Sequence, residues 1–274
     1  MAGSLVTILI PNYKTLALTK LCLRLIRKNT DLSKITVIVI DNDSQDESLD
    51  YLRKLTWIDL IERPTVAGEP GFQAHAAALD LGLLRTTTPY VLSIHTDTFV
   101  KNPQWLEFLI SEIEKSPRIA GVGSWKLESK SFYQRILKSM ESHFQKNYYK
   151  LINKKNHALE GVGKNYFYLR SHCAMYRTDL LHELGLNFSE EGEVAGKLLH
   201  RRLLDAGYEM RFLESKILIN YIEHINHATM VLNPALQIKT RDTKGLKRIQ
   251  ESLDRLNAQT IFINDQFDQM RSDK

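Results

Sequence analysis

Three short apolar runs in the first hundred residues each end in polar side chains, and no other feature of the sequence restricts the fold as much. The runs cover residues 5–10, 35–40 and 90–94, and the polar groups after them are Pro11-Asn12-Tyr13, Asp41-Asn42-Asp43-Ser44 and His95-Thr96-Asp97. Runs of four to eight β-branched and aliphatic residues are typical of buried parallel strands. Open α/β sheets bind ligands at the carboxyl ends of such strands. We therefore predict that the three polar groups lie together at one edge of a parallel sheet and form a binding site.

The segments between these runs have the periodicity of helices. Apolar residues recur at helical spacing in residues 16–28, residues 73–84 are Ala-rich, and Ser44 is a candidate N-cap for a helix over residues 46–55. A fourth strand is predicted at residues 58–61, and further helices at 103–115, 194–206 and, as one or two terminal helices, 243–270. Strands that alternate with helices of this length form βαβ units. The predicted fold class is therefore α/β, with a mainly parallel sheet flanked by helices and a helical C-terminal tail.

The order of several motifs resembles that of family 2 inverting glycosyltransferases with the GT-A fold. The motifs are Ile10-Pro11-Asn12-Tyr13, Ile40-Asp41-Asn42-Asp43-Ser44, Gly71-Phe72 before the Ala-rich helix, and Thr96-Asp97. Residues 170–177, 187–207 and 222–227 follow in register with that family's acceptor, catalytic-base and closing-histidine segments. The resemblance extends over about residues 5–227.

This resemblance implies both a domain organisation and a reaction. Residues 1–227 would form a GT-A domain with a nucleotide-binding half (1–100) and an acceptor-binding half (101–227), followed by a C-terminal helical extension (228–274). The expected reaction moves a sugar from a nucleoside diphosphate sugar to a hydroxyl of a glycan or lipid-linked acceptor, with inversion. A carboxylate base and a divalent metal, Mn²⁺ or Mg²⁺, would assist.

The resemblance assigns donor binding to the strand ends and to one glycine loop. The expected nucleotide-binding residues are Pro11, Asn12, Tyr13, Asp41, Asn42, Gly71 and His95. Many relatives have Asp where this chain has Asn42, and a carboxylate can only accept hydrogen bonds, whereas an amide can donate or accept. The identity of the donor base therefore stays open. Asp43 and Ser44 are expected to cap the next helix instead.

The metal motif departs from the family pattern. Relatives end this strand in Asp-x-Asp, whereas the sequence here is His95-Thr96-Asp97, so the likeness retains Asp97 as a metal ligand beside an imidazole. The second metal or diphosphate group is expected from His224, with His227 as the fallback. Histidine is an accepted ligand of Mn²⁺, while Mg²⁺ prefers oxygen. The alternative is that each histidine has only a structural role.

The catalytic base is expected in an acidic segment before the predicted helix at 194–206. Glu191 and Glu193 take the places of the two aspartates in the family's Glu-Asp-x-Asp segment, and Glu191 is the predicted base, with Glu190 and Glu193 as alternatives. A carboxylate can deprotonate the acceptor hydroxyl when it lies within hydrogen-bond reach. A cluster of acids also suits a helix N-terminus through the helix dipole, without any catalytic role.

A basic amphipathic segment occupies residues 126–157. It has eight Lys or Arg residues against Glu128 and Glu141, a net charge of +6 in a chain whose formal net charge is +5. Aromatic and aliphatic residues recur within it at spacings of three and four. The segment is interpreted as a surface for anionic lipid, as a lobe for an anionic or lipid-diphosphate acceptor, or as a solvated helix face. Nucleic acid is not expected as a partner, because no recognised binding module accompanies the basic charge.

Other classes of protein fit the sequence less well. The principal alternative is a catalytically silent GT-A-like protein that binds a nucleotide or a glycan, since the acidic motifs depart from the family pattern. A sugar-nucleotide pyrophosphorylase would need a Gly-rich N-terminal loop with a basic residue, and dehydrogenases or nucleoside triphosphatases would need GxGxxG or a P-loop; the sequence has none of these. No run of about 18 apolar residues predicts a membrane span. The expected location is cytoplasmic, with peripheral contact at the inner face of the membrane as an option.

Overall fold

The computed structural model describes residues 3–127, 163–225, 228 and 243–269 of the 274-residue chain. The strands are β1 (Val6–Asn12), β2 (Ile35–Asp41), β3 (Asp59–Glu62), β4 (Tyr90–Ile94), β5 (Thr98–Val100), β6 (Ile119–Gly123), β7 (Cys173–Arg177), β8 (Glu209–Phe212) and β9 (Ile222–His224). The helices are α1 (Leu16–Asn29), α2 (Glu47–Lys54), α3 (Gly71–Leu84), α4 (Trp105–Ile113), α5 (Thr178–Glu183), α6 (Lys197–Asp205), α7 (Ser215–Leu218), α8 (Thr243–Arg255) and α9 (Ala258–Phe262).

Seven of these strands form one sheet in the order β3-β2-β1-β4-β7-β6-β8. The strands β3, β2, β1 and β4 are parallel to one another. In contrast, β7 runs antiparallel to both of its neighbours. The predicted α/β class with a mainly parallel sheet is confirmed, and the three apolar runs of the sequence analysis are the neighbouring strands β2, β1 and β4.

A second, two-stranded sheet joins β5 to β9 in antiparallel register. Thr98 lies opposite His224 in this register, and the N–H of Ile225 donates to the carbonyl of Asp97 at 2.9 Å. The pairing therefore brings residues 97 and 224, which are far apart in the sequence, to the same place at the end of β4.

The large sheet has an apolar layer on each face, as the alternation of side chains along its strands requires. Ile8 and Ile10 face α1 and α4, whereas Leu9 faces the opposite layer, which contains α3 and α6. Helix α3 lies very close to the sheet, since a Cβ at Gly82 would be 2.7 Å from Leu9 Cδ2. The small residues of this helix thus set its distance from the strand ends.

Two local predictions differ from the structure. The N-cap of α2 is Asp46, whose side chain accepts from the N–H of Ser48, so the assignment of this role to Ser44 was wrong. Ser44 is instead buried and bonds to Asp41 and Asn12. Helix α6 begins at Lys197 rather than at residue 194.

The described part of the C-terminal extension packs onto α1. Arg24 is fully buried; its Nε donates to Asp268 Oδ1 at 2.8 Å, and it also pairs with Asp265. Tyr51 Oη donates to the same Asp268 oxygen at 2.6 Å. None of the helices in the described part of the chain has the length and hydrophobicity needed to cross a bilayer. Placing the domain boundary near residue 227 stays a prediction.

Candidate active site

The side chains of Asn12 and Asp41 connect the ends of β1 and β2. Asn12 Nδ2 donates to Asp41 Oδ1 at 2.6 Å, and Thr19 Oγ1 donates to Asn12 Oδ1 at 2.6 Å. Asp41 also accepts from the hydroxyl of Ser44 at 2.5 Å and from its N–H at 2.9 Å. Both side chains are fully buried, so they hold the two loops together. A direct contact of either with a nucleotide stays a prediction.

The other predicted nucleotide-binding residues lie around these loops. Pro11 is buried inside β1 opposite Ile40, while Tyr13 and Asn42 are half-buried at the sheet edge. Gly71 begins α3, and a Cβ built on it would meet no atom within 4 Å. This edge of the sheet therefore offers an aromatic ring, an amide and open space beside a helix N-terminus.

The sequence analysis missed an ion pair beside Asn42. Arg63 Nη2 lies 2.6 and 2.8 Å from the carboxylate oxygens of Glu69, and its Nη1 is 3.4 Å from Asn42 Oδ1. The side chains of Arg63 and Glu69 are only 10% and 15% exposed. The available signal was that Arg63 directly follows β3, where the strand reaches the same edge. The pair places one positive and one negative side chain, with no net charge, beside the predicted nucleotide region.

Asp97 and His224 meet as the sequence analysis predicted, and His95 joins them. Asp97 Oδ1 is 3.3 Å from His224 Nε2 and 3.8 Å from His95 Nδ1. One ligand atom from each of the three residues lies within 4.8 Å of the others. Asp97 Oδ1 and His224 Nδ1 are buried and have no hydrogen-bond partner among the described residues. An unpartnered carboxylate oxygen with two imidazole nitrogens this close to it fits a divalent cation. His227 lies outside the described residues.

Two more histidines and two serines surround this group. Ser171 Oγ is 2.9 Å from His95 Nε2 and 3.1 Å from His75 Nε2. The ring of His172 stacks on that of His224 with centroids 4.5 Å apart, and its Nε2 is 3.0 Å from Ser124 Oγ. Sequence reasoning missed Ser171 and His172, although both lie in the 170–177 segment that it singled out. We refer to His75, His95, His172 and His224 as the histidine cluster.

Burial keeps His75, His95 and His172 uncharged. It lowers the pKa of His95 well below its ordinary value, and the neighbouring imidazoles act in the same direction. Burial also lowers the pKa of His75 to about 4, although Asp97 opposes this shift. The pKa of His172 is likewise lowered, first by burial and then by His224 and Arg170. These three imidazoles are therefore neutral near pH 7, which is the form that binds metal ions.

The acidic segment forms a 3₁₀ turn, Glu190–Gly192, before α6. It is attached to α3, because Asp80 accepts from the N–H groups of Phe188 at 2.5 Å and Ser189 at 3.1 Å. Gln73 Nε2 also donates to the carbonyl of Gly192 at 3.3 Å. Since His75 on the same turn of α3 contacts Ser171, both the acidic segment and the histidine cluster adjoin the N-terminal end of this helix.

All three candidate bases are paired with basic side chains. Glu191 is 69% exposed, and its Oε1 lies 3.1 Å from Arg202 Nη2. Glu190 is 8% exposed and forms an ion pair with the same arginine. Glu193 Oε2 is 2.9 Å from Lys197 Nζ. The choice among the three as the base stays a prediction.

An aromatic group adjoins the histidine cluster. Trp125 contacts Phe167 and Tyr168, with ring centroids 5.3 and 5.0 Å apart, and the guanidinium of Arg170 lies 5.2 Å from the Trp125 ring. Phe167 and Arg170 are exposed. Arg170 is next to Ser171 in the sequence, so these side chains lie beside the histidine cluster. In the sheet order they are on the β7 side of β4, whereas β1 and β2 are on its other side. They form an aromatic and cationic surface beside the candidate metal site.

The strand order and the polar residues at the end of β4 define the GT-A class of α/β proteins. The sequence model of glycosyl transferase family 2 matches residues 7–185. The protein therefore belongs to glycosyl transferase family 2, as the motif order predicted. A comparison with curated proteins gives no significant match.

Three solved structures share the fold at low sequence identity. The mannosyltransferase PcManGT from Pyrobaculum calidifontis, in complex with GDP-Man and Mn²⁺, is 16% identical with a TM-score of 0.54, over 98% of this chain and 72% of that one. S. aureus TarS 1-349 is 16% identical with a TM-score of 0.52, over 95% and 75%. Glucosyl-3-phosphoglycerate synthase from Mycobacterium tuberculosis, with Mn²⁺, UDP and glucosyl-3-phosphoglycerate, is 18% identical with a TM-score of 0.51, over 93% and 81%. These likenesses establish the fold.

Proposed function

We propose that this protein transfers a sugar from a nucleoside diphosphate sugar to an acceptor hydroxyl, with inversion and with the help of a divalent cation. The observation that carries the proposal is the buried pair of Asp97 and His224: Asp97 Oδ1 lies 3.3 Å from His224 Nε2 and has no hydrogen-bond partner among the described residues. In a family 2 chain, this pair lies at the sheet edge where α/β proteins bind ligands. The pair is suited to hold a cation that binds the donor diphosphate.

Asp97 and His224 would hold the cation, either Mn²⁺ or Mg²⁺. Such an ion offsets the negative charge that develops on a departing diphosphate, an effect commonly worth several kcal/mol. The backbone at the start of α3 would face the same diphosphate, because a helix N-terminus favours anions. The complexes of PcManGT with GDP-Man and Mn²⁺ and of the mycobacterial synthase with UDP and Mn²⁺ support this assignment.

The nucleoside would bind at the ends of β1, β2 and β3. Tyr13 would contact the base with its ring, and Asn42 would bond to the base edge beside Arg63. An amide can turn either its donor or its acceptor toward the base, so this residue alone selects neither uracil nor guanine. The pair formed by Arg63 and Glu69 would fix the position of Asn42, through the 3.4 Å contact between Arg63 Nη1 and Asn42 Oδ1.

Glu191 would remove the proton of the acceptor hydroxyl. Its carboxylate is exposed and bonds to Arg202, so an arriving hydroxyl would have to share or displace the guanidinium. Glu190 and Glu193 remain the alternatives. Arg202 contacts Glu190 as well as Glu191. It would therefore hold the carboxylate of Glu190 while Glu191 accepts the proton.

The acceptor is proposed to be a glycan or a lipid-linked sugar. Phe167 and Arg170 offer a ring face and a positive charge beside the histidine cluster. The basic segment 126–157 lies outside the described residues apart from Lys126 and Leu127. Its expected contact with anionic membrane lipid, and a cytoplasmic location at the inner face of the membrane, rest on the sequence alone.

A panel of nucleoside diphosphate sugars tests the proposal. Uridine, guanosine and thymidine diphosphate sugars are each incubated with the protein, with and without Mn²⁺, and release of the diphosphate is measured. We expect cation-dependent release from one base class, and nuclear magnetic resonance of the product to show inversion. A catalytically silent binding protein is favoured if calorimetry detects donor binding but no donor is turned over, an outcome consistent with the pairing of all three candidate bases.

A further inference from the structure

The hydrogen bonds of His95 fix which ring nitrogen faces Asp97. Its Nε2 is 2.9 Å from Ser171 Oγ, and Ser171 also contacts His75 Nε2 at 3.1 Å. The other nitrogen, Nδ1, is on the side of Asp97, 3.8 Å from Oδ1. The ring of His75 packs edge-on against His95 with centroids 4.7 Å apart. His95 is thus held with Nδ1 directed at the candidate metal ligands, because a hydrogen bond at one ring nitrogen orients a histidine whose other nitrogen binds a metal.

The spacing of the three ligand atoms fits one face of a coordination sphere. Oδ1 of Asp97 is 3.3 Å from His224 Nε2 and 3.8 Å from His95 Nδ1, and all three ligand atoms lie within 4.8 Å of one another. Adjacent donors of a six-coordinate ion with bonds of about 2.1 Å are roughly 3 Å apart. Small side-chain movements would therefore bring the three atoms onto one ion and leave the opposite face open.

The second imidazole is also held in place before any ion arrives. The ring of His172 stacks on His224 at an interplanar angle of 6°, and His172 itself is fixed by its contact with Ser124 at 3.0 Å. The stacked ring of His172 therefore orients His224, and Ser124 holds His172 through its Nε2.

We propose that His95 is a third metal ligand, and that two imidazoles with one carboxylate make this site selective for transition-metal ions such as Mn²⁺ and Co²⁺ over Mg²⁺. Imidazole nitrogen suits transition metals, whereas Mg²⁺ demands oxygen ligands and gives up its waters reluctantly. The proposal assigns His95 to the metal and away from the nucleotide contact predicted from the sequence. It rests on the proposed function in one respect, which is that the donor diphosphate would bind at the open face of the ion.

Direct binding of metal ions tests the selectivity without turnover. Affinities of the full chain for Mn²⁺, Co²⁺ and Mg²⁺ are measured by calorimetry, and the same measurements are made on His95→Asp, which restores an oxygen ligand. We expect the ratio of Mn²⁺ to Mg²⁺ affinity to fall about tenfold or more in His95→Asp, a change of about 1.4 kcal/mol. An unchanged ratio, or no binding of any of these ions by the parent chain, overturns the proposal.

Pulsed electron paramagnetic resonance of bound Mn²⁺ counts the ligating nitrogens. We expect two imidazole nitrogens in the parent chain and one in His95→Gln. His182→Gln is the matched control, because it removes an imidazole outside the histidine cluster, whose Nε2 lies 3.4 Å from the carbonyl of Thr86, and should leave the count at two. A count of one in the parent chain overturns the proposal. Circular dichroism verifies that each variant is folded, and the two substitutions at position 95 provide independent chances of a folded protein.

The outcomes also separate this inference from the proposed function. Selective binding of Mn²⁺ by a protein that turns over no sugar nucleotide supports the three-ligand site and contradicts the enzyme. Turnover by a protein whose Mn²⁺ is bound by one nitrogen supports the enzyme and contradicts the three-ligand site.

Discussion

At the scale of single residues, Asp97 is a buried carboxylate whose Oδ1 has no hydrogen-bond partner among the described residues. We predict that Asp97→Asn, which keeps the volume and removes the charge, lowers turnover by roughly 10²-fold or more, equivalent to about 3 kcal/mol of transition-state stabilisation. Calorimetry should show that the donor affinity of the variant no longer responds to Mn²⁺. The matched control is Asp59→Asn at the exposed start of β3. Equal metal dependence in parent and Asp97→Asn would remove Asp97 from the site.

The three glutamates before α6 can be separated by amide substitutions. If Glu191 accepts the proton of the acceptor, Glu191→Gln should cut turnover by about 10² to 10⁴, the usual contribution of a general base, while donor affinity is retained. Glu193→Gln removes the charge that pairs with Lys197 and should have a smaller effect. The measurement is steady-state turnover together with donor binding. A nearly active Glu191→Gln beside an inactive Glu190→Gln would transfer the role to Glu190.

The sequence reveals those site residues that lie directly after a strand, and not those that tertiary contacts bring in. Asp97 follows a predicted strand, so its position at the sheet edge could be predicted, and the family likeness added His224. Ser171 contacts His95 although 76 positions separate them in the sequence. His172 and His224, whose rings stack, are also far apart in the sequence. A local sequence pattern cannot predict a contact between two residues that are so far apart in the sequence. For the same reason the sequence did not show that Asn12 and Asp41 bond to each other.

At the scale of secondary-structure elements, His200 connects α6 to the chain before β7. Its Nδ1 accepts from the N–H of Leu169 at 3.3 Å, and burial, aided by Arg201, lowers its pKa to about 4. An unfolded histidine has a pKa near 6.5, so the unfolded chain binds the proton more tightly. This residue therefore stabilises the fold above about pH 6.5, and that stability is lost as the pH falls toward 4.

We predict that His200→Asn reduces the loss of unfolding free energy between pH 7 and pH 5 by about 2 kcal/mol. Asparagine Oδ1 can replace Nδ1 as the acceptor for Leu169 but does not titrate. Urea unfolding at the two pH values measures the effect. Leu203→Ala, which truncates a buried side chain on the same helix, should destabilise equally at both. An unchanged pH dependence in His200→Asn would show that His200 is not held neutral.

Helix boundaries were predicted less well than helix positions. Residues 194–206 have helical periodicity, but Gly196 adopts φ 74° and its N–H bonds to the carbonyl of Phe188, so the chain turns before α6 begins at Lys197. A positive φ at glycine cannot be read from the hydrophobic pattern. The consequence for the site is that the acidic segment lies in a separate turn attached to α3 and not in the first turn of α6.

At the scale of the whole molecule, the parallel half of the sheet could be predicted and the other half could not. The runs before residue 100 alternate with clear helical periods, which specify parallel neighbours. The antiparallel placement of β7 between β4 and β6 depends on pairing across long separations of sequence. The small sheet of β5 and β9 also depends on pairing across a long separation of sequence. This pairing places His224 beside Asp97.

The C-terminal residues contribute to the stability of the whole molecule through Arg24. Its guanidinium is fully buried and donates to Asp268, to Asp265 and to the carbonyls of Ile261 at 2.8 Å and Phe262 at 2.7 Å. Asp268 is also buried, whereas the side chain of Asp265 is 82% exposed. The two carboxylates therefore pair with the same arginine in opposite environments, and they form a matched pair for mutation.

We predict that Asp268→Ala lowers the free energy of unfolding by about 3–5 kcal/mol, because it leaves a buried guanidinium with only an exposed carboxylate as its counter-charge. Asp265→Ala removes an exposed, solvent-screened partner and should cost much less than Asp268→Ala. Denaturant unfolding of the full chain measures both. The double variant Arg24→Met with Asp268→Leu replaces the pair by apolar side chains, so it should be more stable than Asp268→Ala alone. Equal costs for the two alanine variants would mean that residues 243–269 are held to α1 by apolar contacts and that the buried ion pair adds nothing.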